Sequence, residues 1–526
     1  MTTTRPETSY ETADFVVVGA GSAGAALAGR LATRGASVLL LEAGPEDKKA
    51  AIHIPAAFPQ LFRTELDWDY HTEPQAGLAG RSVHWPRGKM LGGSSSMNAM
   101  CWVPGFAADY DEWAEQAGPD WSWKSVNGYL NRITDPAAPI GLRTTSLRSP
   151  NPHTAEFLMA ARELGYDVTP ANPATPTGFS PMTVNQDRGR RFSTADGYLK
   201  PLRNNPRLRV RTGAHTTSVD FDGLRAVGVT YVVHGVTRHM RATREVILSA
   251  GAINTPHLLM LSGIGDPDHL AKYGVPVRVN APEVGQRMFD HMVTGLAVQS
   301  SGPTLYTAGR PRHVADFLTR RRGPLTSNVV EAFGFVRSRP ELELPDLEIA
   351  FLPVPFIDEG RNQPDQHGFT VGTVLLRPES TGSVQLASAD PFTKPAVDPG
   401  YLSDPEGADR AALTAGVETC RKFVQRLTAR GRTNGRYIRP LDGHELAAEE
   451  LCAAAIDQVA QTIYHPVGTA RMGSDPASVV DPQLRVRGVA GLRVADASVM
   501  PNLVRGHTHA AAVVIGERCA DLLLDS

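Results

Sequence analysis

The chain has 526 residues, 41% of them hydrophobic and 21% charged, with a formal net charge of −2. That length exceeds what one hydrophobic core usually supports, and predicts two cores or one large discontinuous domain with a cap. The near-neutral balance argues against a nucleic-acid partner, which would call for a clustered basic surface.

The opening segment, MTTTRPETSYETADF, is polar and acidic and lacks the apolar core of a signal peptide. No apolar run along the chain reaches the length of a membrane span, so a cytoplasmic protein with no membrane partner is expected. Next comes DFVVVGAGSAGAALAGRLATRGASVLLLEAGP: an apolar β-branched run, a glycine turn, an Ala/Leu-rich helix and a second apolar strand ending on Glu42. This is a βαβ unit carrying G-x-G-x-x-G in Gly19, Gly21 and Gly24. Gly19 permits the tight turn, Gly21 lets the backbone approach a pyrophosphate and Gly24 lets helix and strand pack, while Glu42 can accept from a ribose hydroxyl. The unit alone does not separate NAD(P) from FAD.

At 87–98, RGKMLGGSSSMN is a glycine- and serine-rich loop whose backbone amides can approach a ring system or phosphate. At 245–265, EVILSAGAINTPHLLMLSGIG reads as strand, turn, helix and second glycine turn, a further layer on the nucleotide fold. RPRHVADFLTRRRG at 310–323 is the one basic stretch and reads as a solvated helix face. Cys101, Cys420, Cys452 and Cys519 are widely spaced, without C-x-x-C or histidines at metal-ligand spacing, and read as reduced, buried thiols. There is no G-x-S-x-G elbow of a serine hydrolase. YHPVGTARMG at 464–473 and LVRGHTHAAAVVIGERCADLL at 503–523 place three histidines, His465, His507 and His509, near the C-terminus.

Together, GKMLGGSSSMN, GAINTPHLLMLSGIG, YHPVGTARMG and GLRVADASVMPNLVRGHTHAAAVVIGERCADLL resemble the signatures of the glucose-methanol-choline (GMC) oxidoreductase family, in the family's order. The likeness runs from about residue 14 to 523 and is nearest to the choline oxidase and choline dehydrogenase-like branch. It implies an α/β protein with a Rossmann-like FAD-binding domain over 1–300, a largely antiparallel substrate domain over 301–464, and a C-terminal segment, 465–526, that returns to the FAD domain. It implies FAD as cofactor, held by Gly19, Gly21, Ser22, Ala23, Gly24, Glu42, Ala43, Met90, Gly92, Gly93, Asn98, Met100, Thr216, Asp496 and Ala497.

The resemblance assigns His465 as the active-site histidine and His509 as its partner. In an extended segment after Gly506, side chains alternate, so His509 is expected to face the flavin and His507 to point elsewhere. Such a pair suits oxidation of a primary alcohol, by taking the hydroxyl proton as a hydride passes to the flavin. Relatives in the choline branch carry asparagine where His509 stands, and a histidine that bonds FAD covalently where this chain has Met97, so noncovalent FAD is expected. Glu331 falls where that branch pairs a carboxylate with a quaternary ammonium. Trp68, Tyr70, Trp85, Trp102 and Phe356 could supply cation–π contacts to such a group. The expected substrate is an amino alcohol, amino sugar, polyol or choline-like alcohol, with O₂ or another electron acceptor, and a homodimer is one candidate assembly. The alternatives are a hydroxynitrile lyase-type reaction with non-redox FAD, an NAD(P)-dependent dehydrogenase and a non-catalytic flavoprotein.

Overall fold

The structure, a computed structural model, describes residues 11–170, 177–361 and 364–525. The first ten residues of the opening polar segment lie outside these. Two seven-stranded sheets organise the chain, each with its own apolar core.

The first sheet grows around Glu11–Val18, whose Phe15–Val18 run is buried on both faces, as strands of a covered parallel sheet must be. Val38–Leu41 and Val236–Leu248 flank it in parallel, and Leu208–Arg211 extends the sheet beyond Val38–Leu41. Arg225–Val233 and His215–Asp222 continue the other edge antiparallel. The C-terminal strand Leu492–Val494 pairs in parallel with the end of Val236–Leu248. The helix Ser22–Thr33 starts at the glycine turn, and the last helix, Thr508–Leu524, packs along it. Gly516 makes this close: a Cβ there would meet Ala23 O at 2.3 Å. Between the helices the fully buried Glu517 pairs with Arg30 and Arg132, each at 2.7 Å, and accepts from the Tyr198 hydroxyl at 2.6 Å.

The second sheet is antiparallel, in the order Tyr437–Arg439, Met292–Gln299, Gly368–Leu375, Leu347–Leu352, Ala332–Val336, Gly178–Pro181, with Gln461–Thr462 also on Met292–Gln299. The 22-residue helix Ala408–Ala429 covers it. The expected boundary at residue 300 is therefore corrected: Gly178–Pro181 and Met292–Gln299 precede it yet belong to the second sheet. No break in composition marks these strands; their membership is decided by antiparallel pairing with residues 69 or more positions away.

The basic stretch forms the helix Pro311–Arg320, with Arg310, Arg312 and Arg320 turned to solvent. All four cysteines are buried and free. Among the described residues, no helix is long and apolar enough to cross a membrane.

Candidate active site

One long cavity runs from the glycine turn of the first sheet to the face of the second. At its nucleotide end Gly19 has φ +98°, and a Cβ there would meet Ser249 O at 2.4 Å, so the turn admits only glycine. A Cβ on Gly24 would meet Gly19 O at 2.0 Å, which is the close helix–strand packing the motif requires. Gly93 comes to meet Gly21, and a Cβ on it would stand 2.7 Å from Gly21 Cα. The two glycine loops thus touch at bare backbone, leaving room for phosphates at the N-terminus of Ser22–Thr33. The carboxylate of Glu42 accepts from Ala20 N and Gly44 N, both at 2.9 Å. Burial nevertheless pushes its pKa up to about 7.

Ser22, Ala23, Ala43, Asn98, Thr216, Asp496 and Ala497 all line the cavity. Met90, Gly92 and Met100 do not. Met90 and Met100 are fully buried in side clusters, and Gly92 shapes the loop at φ +85° by donating its N–H to Ala20 O at 2.9 Å. The Asp496 carboxylate is committed to its own chain: Oδ2 accepts from Gly251 N and Thr255 Oγ1 at 2.9 and 2.6 Å, and Oδ1 from Ser498 N and Oγ at 2.8 and 2.6 Å. It pins the start of the helix Gly251–Leu261 against the cavity. Among the described residues three buried polar atoms on the lining have no partner in the protein, Tyr464 Oη at the histidine end and Thr216 Oγ1 and His257 Nε2 toward the nucleotide end. Orphaned donors and acceptors of this kind, beside a cradle that a Cβ would fill, fit a dinucleotide.

At the other end stand the histidines, and here one expectation is corrected. The chain does not stay extended after Gly506: His507 caps the helix Thr508–Leu524, so the helical turn, not strand alternation, sets the side-chain directions. His507 packs edge-on to His465 with ring centroids 5.0 Å apart. His509 turns toward the nucleotide end, its Nδ1 2.9 Å from Ser22 Oγ and its ring edge-on to Trp102. The ring beside His465 is that of His507.

The surroundings give the two rings opposite protonation. His465 Nδ1 lies 2.9 Å from Nδ1 of His291, whose Nε2 lies 3.2 Å from Leu376 O. A carbonyl only accepts, so His291 carries its proton on Nε2 and accepts at Nδ1. His465 then donates from Nδ1, which leaves a lone pair on Nε2. Burial first, then the charge of His507, hold the His465 pKa well below the ordinary value, while burial takes His291 to about 3. His507 is the reverse case: burial opposes its charge, but the Glu348 carboxylate, 3.2 Å from Nε2, and the Cys101 side chain outweigh it and raise its pKa to about 10. A neutral imidazole therefore faces an imidazolium. Asp290 fixes the frame, accepting from His465 N at 2.7 Å and from the Tyr401 hydroxyl at 2.5 Å.

Glu331 does not face this cavity. It is fully buried and takes the Asn151 N–H at 2.6 Å, the Thr154 hydroxyl at 2.5 Å and the Ser327 hydroxyl at 2.6 Å, which tie the residue before the strand Ala332–Val336 to the start of the helix Pro152–Glu163 and to Ser327. Of the expected aromatics, Trp68, Tyr70 and Phe356 line the cavity; Trp85 donates to Tyr401 OH and Trp102 packs on His509. The end beyond His465 is walled by Phe58, Phe62, Phe356 and Tyr464, with Phe62 edge-on to Phe58 at 5.8 Å and to Tyr464 at 5.7 Å, and by Val329 and Leu352. Tyr464 and Val329 hold φ of +71° and +77°, strained for residues with a Cβ, and such strain gathers at functional sites.

His291, Glu348, Asp290 and Cys101 are the members that motif reading passes over. His291 and Asp290 sit in FDHMV and Glu348 in a hydrophobic strand, DLEIAFL, where a charged residue amid apolar ones was the available signal.

Known proteins match the whole arrangement. Family models described as GMC oxidoreductase cover residues 13–293 and 378–516. An uncharacterized GMC-type oxidoreductase of Mycobacterium tuberculosis is 54% identical over 97% of this chain and 99% of its own. The alcohol dehydrogenase [acceptor] of Pseudomonas putida is 39% identical over 97% of this chain and 95% of its own. Among solved structures, pyridoxine 4-oxidase of Mesorbium loti superposes with a TM-score of 0.87 at 30% identity, covering 97% of this chain and 98% of that one. With this sequence coverage and a cavity shaped for a dinucleotide, the chain belongs to the GMC oxidoreductase family and is an FAD-dependent enzyme acting on CH–OH groups.

Proposed function

We propose that this enzyme oxidises primary alcohols with an apolar or aromatic tail to the aldehyde, using noncovalently bound FAD. The observation that carries the reading is the pairing of neutral His465 with cationic His507 at the foot of an aromatic vault. FAD, held by the Gly19–Gly24 and Gly93 loops, would supply the hydride acceptor for the alcohol carbon. The hydroxyl proton passes to Nε2 of His465, whose free lone pair is held there by the Leu376–His291 relay. The His507 imidazolium stabilises the oxygen as negative charge develops on it, a kind of interaction that preorganised sites use to lower barriers. Glu348 keeps that charge in place.

The vault decides the tail. The one cavity-lining carboxylate near the histidines, Glu348, is paired with His507, and Glu331 is spent on the protein's own hydroxyls. Phe58, Phe62, Phe356, Val329 and Leu352 instead offer apolar surface to the carbon chain, worth about 0.8 kcal/mol for each methylene buried. Met97, at the loop position where a covalent link would form, presents a thioether to the cavity, which supports dissociable FAD. The likeness to an alcohol dehydrogenase [acceptor] supports oxidation of an alcohol.

The test is anaerobic titration of the purified protein with benzyl alcohol, 1-octanol, choline and glucosamine, followed by air. Bleaching of the flavin band by the first two at the lowest concentrations is the expected result. Bleaching by choline or glucosamine alone would overturn the substrate class, and no bleaching by any would favour a non-redox, lyase-type reaction. Release of yellow cofactor on acid precipitation would bear out noncovalent FAD.

A further inference from the structure

Behind the wall of the vault lies a cluster that the alcohol chemistry does not use. Tyr70–His71 and His84–Trp85 form a short antiparallel ribbon that sets His71 directly opposite His84. His84 is buried, its side chain 1% exposed, and its Nδ1 lies 2.9 Å from Glu359 Oε2. The other ring nitrogen, Nε2, faces away from that carboxylate. It points between Asp67 Oδ2 and Asp69 Oδ1 at 3.3 and 3.2 Å, yet neither pair has hydrogen-bond geometry, and His84 Nε2 and Asp69 Oδ1 are both buried without a hydrogen-bond partner. A nitrogen and two carboxylate oxygens converging at this spacing form a pocket that one cation can bridge.

The spacing suits a metal. Ligand atoms about 2.0–2.2 Å from a zinc-sized ion, at angles between a right angle and the tetrahedral value, lie about 3.0–3.4 Å apart. The ligand atoms of the trio all lie within 4.8 Å of one another. The neighbouring cations sit on the outer oxygens: Lys394 is 3.5 Å from Asp69 Oδ2 and Arg63 is 3.6 Å from Glu359 Oε1. Asp69 Oδ1 stays available, and Asp67 Oδ2, which accepts from Arg63 N at 2.9 Å, keeps its second lone pair. A carboxylate behind the imidazole is also how metal-binding histidines are usually oriented.

We propose that Asp67, Asp69 and His84 bind one divalent transition cation of the zinc class, with Glu359 orienting the imidazole. Mixed nitrogen and carboxylate ligation favours such an ion over magnesium or calcium. The role is structural. The ion would staple the segment carrying Phe62, whose ring lies edge-on to His84, to the ribbon and to the Glu359 loop that carries Phe356.

The test uses the full-length, flavin-loaded protein, stripped with a chelator, dialysed against Zn²⁺ and then freed of loose metal. Elemental analysis should find one zinc per chain, and zinc should raise the unfolding temperature. Asp69→Asn, a change at a partly exposed residue that the fold tolerates, should lose both effects. Glu359→Gln should weaken zinc binding about 10- to 100-fold by calorimetry. Substoichiometric zinc in the wild type, or equal retention by Asp69→Asn and His84→Asn, would overturn the proposal.

Discussion

The glycine turn at Gly19–Gly24 and the histidine turn at Gly506–His509 are both junctions at which the chain enters a helix, and both face the cavity. The first is governed locally. Gly19 takes φ +98°, and two of its three motif glycines stand where any Cβ would strike backbone, so its geometry is written in the residue types themselves. The second is governed by what surrounds it. Two identical imidazoles two positions apart receive different partners, His465 with Glu348 for one and Ser22 with Trp102 for the other, because the helix begins at Thr508. Local stereochemistry can be read from sequence; which of two equal side chains meets a residue 40 positions away cannot.

The comparison can be broken most severely at the proposed catalytic residue. His465→Ala removes the only ring whose lone pair is fixed by the Leu376–His291 relay, and should slow flavin reduction by roughly 10²- to 10⁴-fold while FAD stays bound, measured by anaerobic stopped flow. Unchanged reduction would remove the proton-acceptor role.

At the glycine turn the expected loss is of cofactor instead. Gly93→Ala puts a Cβ 2.7 Å from Gly21 Cα in a residue at φ +50°, and the purified protein should carry less FAD per chain by absorbance. The control Gly35→Ala also has a positive φ, +91°, but nothing within 4 Å, so it should keep its FAD and show only backbone strain.

Protonation sharpens the contrast further. His507 must hold its proton to act, so kcat/KM should stay level into alkaline solution and fall as pH passes about 10. Glu348→Gln removes the carboxylate that raises this pKa and should move the fall to lower pH. The same linkage acts on stability: the folded-state pKa lies above the ordinary value, so the contribution is fully present below pH 6.5 and is lost as pH rises through about 10. Chemical denaturation across that range should show the loss in the wild type and a smaller one in Glu348→Gln.

The smallest effect on catalysis is expected at Glu331, despite its resemblance to a substrate carboxylate. Glu331→Gln disturbs three buried hydrogen bonds and should cost about 1–3 kcal/mol of stability, with KM for cationic and apolar alcohols unchanged. A KM rise confined to choline would restore its substrate role.

Much of the fold was legible because its signals are local. The βαβ unit follows from an apolar run, three glycines and Glu42, and the return of the C-terminus followed from the family likeness. The strand Gly178–Pro181 was not legible: four residues, GFSP, carry no periodicity, and their place comes from pairing with Ala332–Val336. In the site, His465 was visible through its motif, whereas His291 and Glu348 act by holding another ring's proton, a role that leaves no spacing pattern. Glu331 and Glu348 show the limit most plainly. Glu348 lies within an apolar strand and Glu331 immediately before its neighbour Ala332–Val336, and only the direction each faces separates a cavity residue from an internal tie.

The central claim, that His507 and not His509 completes the pair with His465, is tested most directly by measuring the anaerobic rate of flavin reduction by benzyl alcohol in His507→Ala and His509→Ala. The account predicts a loss of roughly 10²-fold or more in His507→Ala, with His509→Ala reducing within a few-fold of the wild-type rate but holding FAD more weakly. A crippled His509→Ala beside a fully active His507→Ala would contradict it.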